Sequence, residues 1–381
     1  MTSPTTAYLS LGSNLGDPLT NLQNAVFAIQ KKAGDIQRIS PVYQSSSWGF
    51  DSNDFLNVCL SLKTTLTPHK LLETVLQIET DQGRIRFEAD GYQDRKIDID
   101  IVYYDRETVV SENLVIPHPE LPFRKFVLRP LADIAPQFYH PILNKDTRNL
   151  IQESRDKGRL EKTTFRLFKD RAEVFSHTNF IAIEGNIGAG KTTLARKIAE
   201  DFNAKLVLER FADNPFLPKF YEDQGRFAFP LEMSFLADRY QQFTDDTSQY
   251  DLFKSFMVSD YDIYKSLIFA RITLQEDEYV LYDKLFRLMY KEVKKPQIYV
   301  YLYQTTERLL DNIKKRGRDY EQNITPEYLE NINKGYLGFI RGYPQQNNLV
   351  IELGELDFVE NQEDYELIIN KIVKFALGLP R

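Results

Sequence analysis

Apolar and polar positions alternate along the chain with two different periods. Ala7 opens an apolar segment, AYLSLGS, and an amphipathic stretch follows over about 18–33, predicting a strand and then a helix. IQRISPVYQSS over 36–46 reads as a second strand and FLNVCLSLKTTL over 55–66 as a third, with a loop between them. A helix is predicted at about 68–82, with Pro68 in its first turn, where a missing N–H costs least. In RKIDIDIVYY, residues 95–104, the alternation is strict: on a strand Asp98 and Asp100 point to one face and Ile97, Ile99 and Ile101 to the other. A Pro-rich stretch, VIPHPELPFRKFVLRPL, comes next. Strands and helices of this length predict an α+β or α/β domain of about 150 residues.

Between about 144 and 178 the pattern turns charge-dense with no long apolar run, predicting a terminal helix and then a linker. A second hydrophobic start follows at once. NFIAIEGNIGAGKTTLARKIAEDF reads as strand, glycine-rich loop and amphipathic helix, and beyond it long helices alternate with short apolar strands (KLVLE, LFKSFMVSD, PQIYVYLY, NLVIEL). The expected organisation is an α/β chain of two domains, 1–160 and 178–381, joined by a charged linker at 161–177, without internal repeats.

Composition narrows the function classes. The 381 residues exceed one ordinary core, so two domains are expected on length alone. A net charge of −7 argues against a general nucleic-acid binder that neutralises phosphates with a basic face. One cysteine, Cys59, excludes an intrachain disulfide framework, and with four histidines it cannot build a Cys/His zinc site of the usual kind. The N-terminus lacks a basic region followed by an apolar run, and no stretch of about 18 apolar residues occurs. The expectation is a soluble cytoplasmic protein acting on small molecules, with neither nucleic acid nor membrane as partner.

GNIGAGKT, from Gly185 to Thr192, satisfies G-x-x-x-x-G-K-[ST] between a predicted strand and a predicted helix. Its glycines let successive N–H groups face phosphates, Lys191 neutralises the β and γ groups, and the Thr192 hydroxyl reaches Mg2+. Glu209 falls at the C-terminal end of the next strand, where parallel sheets build ligand sites, and a carboxylate there can take a proton from an acceptor hydroxyl. Asp260 ends the following apolar run, as a metal-associated carboxylate would, and Arg316 and Arg318 occupy a basic segment able to close over a phosphate.

These features, with DNPFL after the acidic strand end, FPLEMSFLADRYQQ, and RGRDYEQ, make residues 178–380 resemble the deoxynucleoside kinase family. The resemblance implies a P-loop parallel-sheet α/β domain with long helices. It implies that Gly185, Asn186, Ile187, Gly188, Ala189 and Gly190, with Lys191, Thr192 and Thr193, hold ATP and that Thr192 and Asp260 attend one Mg2+. Glu209 would be the base for the 5′-hydroxyl, with Arg239 holding that base and the incoming phosphate. Arg316 and Arg318 would be lid arginines, Glu321 would approach the sugar, and Glu232 would face the base. Two departures stand out: Asp260-Tyr261-Asp262 replaces the usual E/D-R-S, removing an arginine expected near the phosphates, and Glu232 stands where a glutamine is usual.

In the first half the D-x-D has neighbours of matching chemistry. Glu79, Arg84, Arg86 and Arg95 precede it, His118 and Arg124 follow it, and cation and guanidinium groups together spread the charge of polyphosphate transfer. Trp48, Phe55 and Asn57 suggest either core aromatics beside a loop or a flat heterocycle held between rings with its edge read by an amide. LSLGSNLGD, PVYQSSSWGF, FLN, ETDQGRIR, RKIDIDIVYYD and IPHPELPFRKFVLRPLADIAP together resemble 6-hydroxymethyl-7,8-dihydropterin pyrophosphokinase, a folate-pathway family. That resemblance implies a ferredoxin-like α+β domain transferring diphosphate from ATP to the pterin with two Mg2+ on Asp98 and Asp100. Phe55 and Phe126 would stack on the pterin, and Asn57 with Ser45, Ser46 and Trp48 would read its edge. Arg84 and Arg95 would assist transfer, Arg86, His118 and Arg124 would contact ATP, and Glu79 would organise the site.

The sequence thus predicts a fusion of two MgATP-dependent transferases, the second half forming a homodimer by analogy with its family. Alternatives for that half are a nucleotide-sensing module and a nucleotide monophosphate kinase.

Overall fold

The computed structural model describes residues 3–47, 52–84, 94–210, 214–248, 253–318, 321–342 and 347–378. The chain divides into two compact units, Met1–Glu173 and Val174–Arg381.

In the first unit β1 (Thr5–Ser13), β2 (Asp35–Ile39), β3 (Tyr43–Ser45), β4 (Phe55–Thr64) and β5 (Asp98–Tyr104) form an antiparallel sheet in the order β5-β1-β4-β3, with β2 also on β4. β6 (Val109–Val110) and β7 (Val115–Ile116) make a small separate ribbon. The two helices predicted from periodicity are present as α1 (Pro18–Lys32) and α2 (Pro68–Asp81). Each starts at a proline behind a capping residue: Asp17 accepts from the Thr20 N–H, Thr67 from that of Lys70. Ile97, Ile99 and Ile101 join the core together with α1 and α2 residues, while α3 (Lys125–Ile134) and α4 (Thr147–Glu153) share a second cluster with Cys59, Val102 and Tyr103.

Two expectations are corrected. The single strand over 36–46 is two strands: Pro41 supplies no N–H to a ladder, and β2 and β3 pair with successive parts of β4. Nor is 161–177 a free linker. At its start β8 (Leu160–Lys162) pairs with β3, further on Leu167 and Phe168 are buried, and Gln23 brackets Phe168, its Nε2 donating to the carbonyl at 2.7 Å and its Oε1 accepting the N–H at 3.0 Å. A charged, patternless stretch hid two apolar anchors.

α5 (Arg171–Ser176) spans the division. The second unit has a parallel sheet in the order β10-β11-β9-β12-β13, comprising β9 (Phe180–Gly185), β10 (Lys205–Val207), β11 (Met257–Ser259), β12 (Ile298–Tyr303) and β13 (Asn348–Glu352). Central β9 is buried throughout, which explains its unbroken apolar run. Around the sheet run α6 (Lys191–Asp201), α7 (Leu217–Glu222), α8 (Gln224–Ser248), α9 (Lys265–Thr273), α10 (Glu276–Tyr290), α11 (Thr306–Arg316), α12 (Pro326–Gly342) and α13 (Gln362–Leu377). No helix among the described residues is long and apolar enough to cross a membrane.

Candidate active sites

Register builds the first site. Gly12 on β1 lies opposite Asn57 on β4 and opposite Asp98 on β5, and Ser10 lies opposite Cys59 and Asp100. Residues in one such cross-strand row share a face, so Asn57, Gly12 and Asp98 form a row with Asp100 two residues further along. A Cβ on Gly12 would come 3.5 Å from Asn57 Oδ1 and 3.8 Å from the Phe55 ring, ordinary contact distances. Asn57 is buried and donates to Ser45 Oγ at 3.0 Å. Ser46, next in the chain, is exposed.

Asp98 is gripped by two arginines: Arg84 donates to Oδ1 at 2.6 Å and Arg95 to Oδ2. Arg84 also pairs with buried Glu79, whose Oε1 accepts the Ile99 N–H at 2.8 Å, tying α2 to the start of β5. Asp100 carries no comparable pair among the described residues. Burial, and then the negative charge of Asp98, push its carboxyl up to about 7. His118 Nε2 lies 3.9 Å from Asp100, and its Nδ1 accepts the Glu120 N–H at 3.2 Å, which leaves the ring proton on Nε2. Burial and then Arg124 hold the imidazole below its ordinary range, hence neutral. Arg124 directly precedes α3, its guanidinium 5.9 Å from the Phe126 ring, and Phe126 packs against the second core cluster. Glu79, Arg84, Arg95, both aspartates and His118 line one cleft. Trp48 and Arg86 lie outside the described residues.

Among the described residues no group of three or more His, Cys, Asp or Glu side chains is arranged as a metal cage. Two carboxylates with room for phosphate oxygens are what Mg2+ usually takes from a protein, and the Asp98 charge that adds to burial in raising Asp100 is what a divalent cation would offset, so the donor set fits. Sequence reasoning assigned no role to Asn14. Its amide donates to Asp94 at 2.7 Å and accepts the Arg95 N–H at 2.8 Å, fixing the backbone at Arg95; only the quoted SNLGD segment signalled it.

In the second unit the glycine-rich turn joins β9 to α6. Gly188 and Gly190 both adopt a φ of 85°, and a Cβ would meet the Leu309 carbonyl at 2.9 Å and the Phe358 ring at 2.6 Å respectively, so both positions require glycine. Lys191 donates to the Asn186 carbonyl at 2.9 Å, and burial, then Lys265, lower its ammonium to about 8. Thr192 Oγ1 donates to Asp260 Oδ2 at 2.5 Å, and Asp260 Oδ1 accepts the Glu209 N–H at 2.8 Å. A hydroxyl and a carboxylate in contact beside this glycine-rich turn fit one Mg2+. Thr193 is half-buried on the first turn of α6.

Glu209, two residues beyond β10, is almost fully buried between two cations. Arg239 donates through Nε at 2.9 Å and Nη2 at 2.8 Å to Oε1, and Lys265 donates to Oε2 at 2.6 Å. Burial works to raise this carboxyl, but Lys265 and Arg239 outweigh it and hold the group at about 2. Arg239 is further fixed by Ser266 at 2.8 Å. Tyr261, where an arginine was expected, is wholly buried with no partner for its hydroxyl among the described residues, so it presents nothing to a phosphate. Lys265 was missed: nothing in DYDIYKSL marks that lysine among its neighbours.

Glu209, Lys191, Arg239, Lys265, Arg316, Arg318 and Glu321 line a cavity whose remaining wall includes Phe220, Tyr221, Phe235, Phe269, Tyr328 and Glu232. Arg316 and Arg318 both pair with buried Glu321. Glu232 accepts from Thr273 Oγ1 at 3.1 Å, while its Oε2 has no hydrogen-bond partner among the described residues; burial pushes its carboxyl up to about 7.

Comparison with known proteins assigns each half separately. The family described as 7,8-dihydro-6-hydroxymethylpterin-pyrophosphokinase matches residues 8–136, and that described as deoxynucleoside kinase matches residues 181–377. A deoxyguanosine kinase of Bacillus subtilis is 40% identical over 194 residues, covering 50% of this chain and 93% of that protein. A 2-amino-4-hydroxy-6-hydroxymethyldihydropteridine pyrophosphokinase of Synechocystis is 39% identical over 148 residues, covering 39% of this chain and 75% of that protein. Among solved structures, deoxyadenosine kinase from M. mycoides aligns with 26% identity and a TM-score of 0.45, over 51% of this chain and 99% of that one. The chain belongs to two families at once, the pterin pyrophosphokinases through its first half and the deoxynucleoside kinases through its second.

Proposed function

We propose that the chain is a bifunctional transferase: a ferredoxin-like pyrophosphokinase for 6-hydroxymethyl-7,8-dihydropterin followed by a P-loop deoxynucleoside kinase, both using MgATP. The order β5-β1-β4-β2, with helices after β1 and β4, supports the first fold assignment; a glycine-rich turn after the central strand of a parallel sheet supports the second.

In the first reaction the pterin hydroxymethyl oxygen bonds to the β-phosphorus of ATP and loses its proton to solvent, while the α–β bridging bond breaks and its electrons leave with AMP. The carrying observation is the row of Asn57, Gly12 and Asp98, which sets a base-edge amide beside a carboxylate pair. Asn57 reads the pterin edge together with Ser45, Ser46 and Trp48, and Phe55 and Phe126 hold its faces. Asp98 and Asp100 would hold two Mg2+, and these ions would supply the charge that screens the polyphosphate. Arg84 and Arg95 turn from Asp98 to the transferring phosphates, with Arg86, His118 and Arg124 on the nucleotide.

In the second reaction Glu209 accepts the 5′-hydroxyl proton, the oxygen bonds to the γ-phosphorus, and the β–γ bridging electrons leave with ADP. A carboxylate held near 2 is a weak base. That suits a loose transition state, in which the hydroxyl grows acidic only as its bond to phosphorus forms. Arg239 orients Glu209, one Mg2+ sits at Thr192 and Asp260, Arg316 and Arg318 close over the phosphates, and Glu321 meets the sugar. Glu232 selects the base. An ionised carboxylate only accepts hydrogen bonds, and among the common bases guanine alone presents two adjacent donors, N1–H and the 2-amino group. Deoxyguanosine is therefore the preferred substrate, in line with the name of the Bacillus subtilis relative.

Full-length protein should release AMP from ATP with hydroxymethyldihydropterin and ADP with deoxyguanosine. Asp100→Ala should abolish only the first and Lys191→Ala only the second. Loss of both in either variant, or of neither, refutes the two-site assignment. A nucleotide-sensing second half predicts ATP binding without ADP release.

A further inference from the structure

A cation aimed at a transferring phosphoryl group acts most strongly where water is excluded and donors remain for the phosphate oxygens. Lys265 meets each condition. It is the first residue of α9, its side chain is 9% exposed, and it lines the same cavity as Lys191, Arg316 and Arg318. Among the described residues its ammonium donates one hydrogen bond, to Glu209 Oε2, and an ammonium carries three donors. That ammonium lies over the Phe269 ring, 5.4 Å from the centroid, which limits the side chain's swing. Lys191 likewise gives one donor, to the turn's own Asn186 carbonyl, and Arg316 and Arg318 pair with Glu321, so Lys265 is the cation of this cavity that touches Glu209 together with Arg239. Tyr261 contributes no charge.

We infer that Lys265 is a catalytic residue of the kinase reaction: one N–H fixes the Glu209 carboxylate that receives the 5′-hydroxyl proton, and the other donors meet non-bridging oxygens of the γ-phosphoryl group as it passes to the 5′-oxygen. Atoms and electrons balance as before: the proton goes to Glu209, the new bond joins the 5′-oxygen to phosphorus, and the leaving electrons go to ADP. The inference rests on reading Glu209 as the proton acceptor.

The test uses the full-length protein with deoxyguanosine and ATP. Lys265→Met keeps an unbranched stem beside Phe269 and removes the charge; its kcat should fall about a hundredfold or more, with both KM values moving less than threefold, and Lys265→Arg should recover at least tenfold over the methionine variant. A Lys265→Met kcat within threefold of wild type overturns the inference, as does a loss confined to KM. Glu209→Gln separates this from the underlying reading: if it stays active the acceptor assignment fails, and if it is inactive while Lys265→Met is active only the lysine role fails. Should the methionine variant lose the wild-type thermal transition, Lys265→Arg decides: a kcat as low as that of Glu209→Gln overturns the inference, and one within tenfold of wild type sustains it.

Discussion

Replacing Glu232 by glutamine changes one oxygen to an amide and leaves volume and backbone untouched. In wild type this carboxylate, with its free Oε2 and its shared Oε1, lines the cavity among aromatic rings. Guanine placed there gives its N1–H and 2-amino donors to the carboxylate. In Glu232→Gln the new amide nitrogen faces N1–H, so one charge-assisted bond is lost and a buried donor meets another donor, a penalty of about 2 kcal/mol. Adenine gains what guanine loses: the amide donates to N1 and its carbonyl accepts from the 6-amino group, worth about 1 kcal/mol. The ratio of kcat/KM for deoxyguanosine over deoxyadenosine should therefore fall by about 3 kcal/mol, roughly a hundred and fiftyfold. Coupled detection of ADP with each nucleoside as sole acceptor measures it. A ratio unchanged within threefold would refute the assignment of Glu232 to the base edge.

The same carboxyl predicts a pH profile. Burial pushes Glu232 up to about 7, and only its ionised form takes two donors, so kcat/KM for deoxyguanosine should rise about tenfold from pH 6 to 8 and flatten in Glu232→Gln. In the first unit, Gly12→Ala adds a methyl at ordinary contact distance from Asn57 and Phe55, so the thermal midpoint should hold while KM for the pterin rises; an unchanged KM would mean that Asn57 and Phe55 do not hold the pterin. Gly190→Ala should destabilise the second unit by about 1–2 kcal/mol from its left-handed backbone alone, before the 2.6 Å approach to Phe358, and a lowered midpoint in calorimetry checks it.

Much of each site was legible because it is written locally. The G-x-x-x-x-G-K-T spacing fixes where N–H groups turn, and the observed φ of 85° at Gly188 and Gly190 is what that motif demands. Alternation in IDIDI placed both aspartates on one face, and the structure buries the three isoleucines behind them. Periodicity placed the start of α1, and Pro68 that of α2, within a residue.

Local pattern carries no information about which strand lies beside which or where a long side chain ends. Only the antiparallel register sets Gly12 between Asn57 and Asp98, 45 and 86 positions away in the chain as numbered. Only the packing of α9 in the second unit brings Lys265 within 2.6 Å of Glu209, 56 positions earlier. The segment 161–177 reads as a linker because its two apolar anchors, Leu167 and Phe168, are too few to make a period. Sequence determined most of the secondary elements and the glycine-rich turn, because periodicity, backbone sterics and capping act within a few residues; tertiary structure decided which side chains meet as charge partners, because electrostatics and burial act through space.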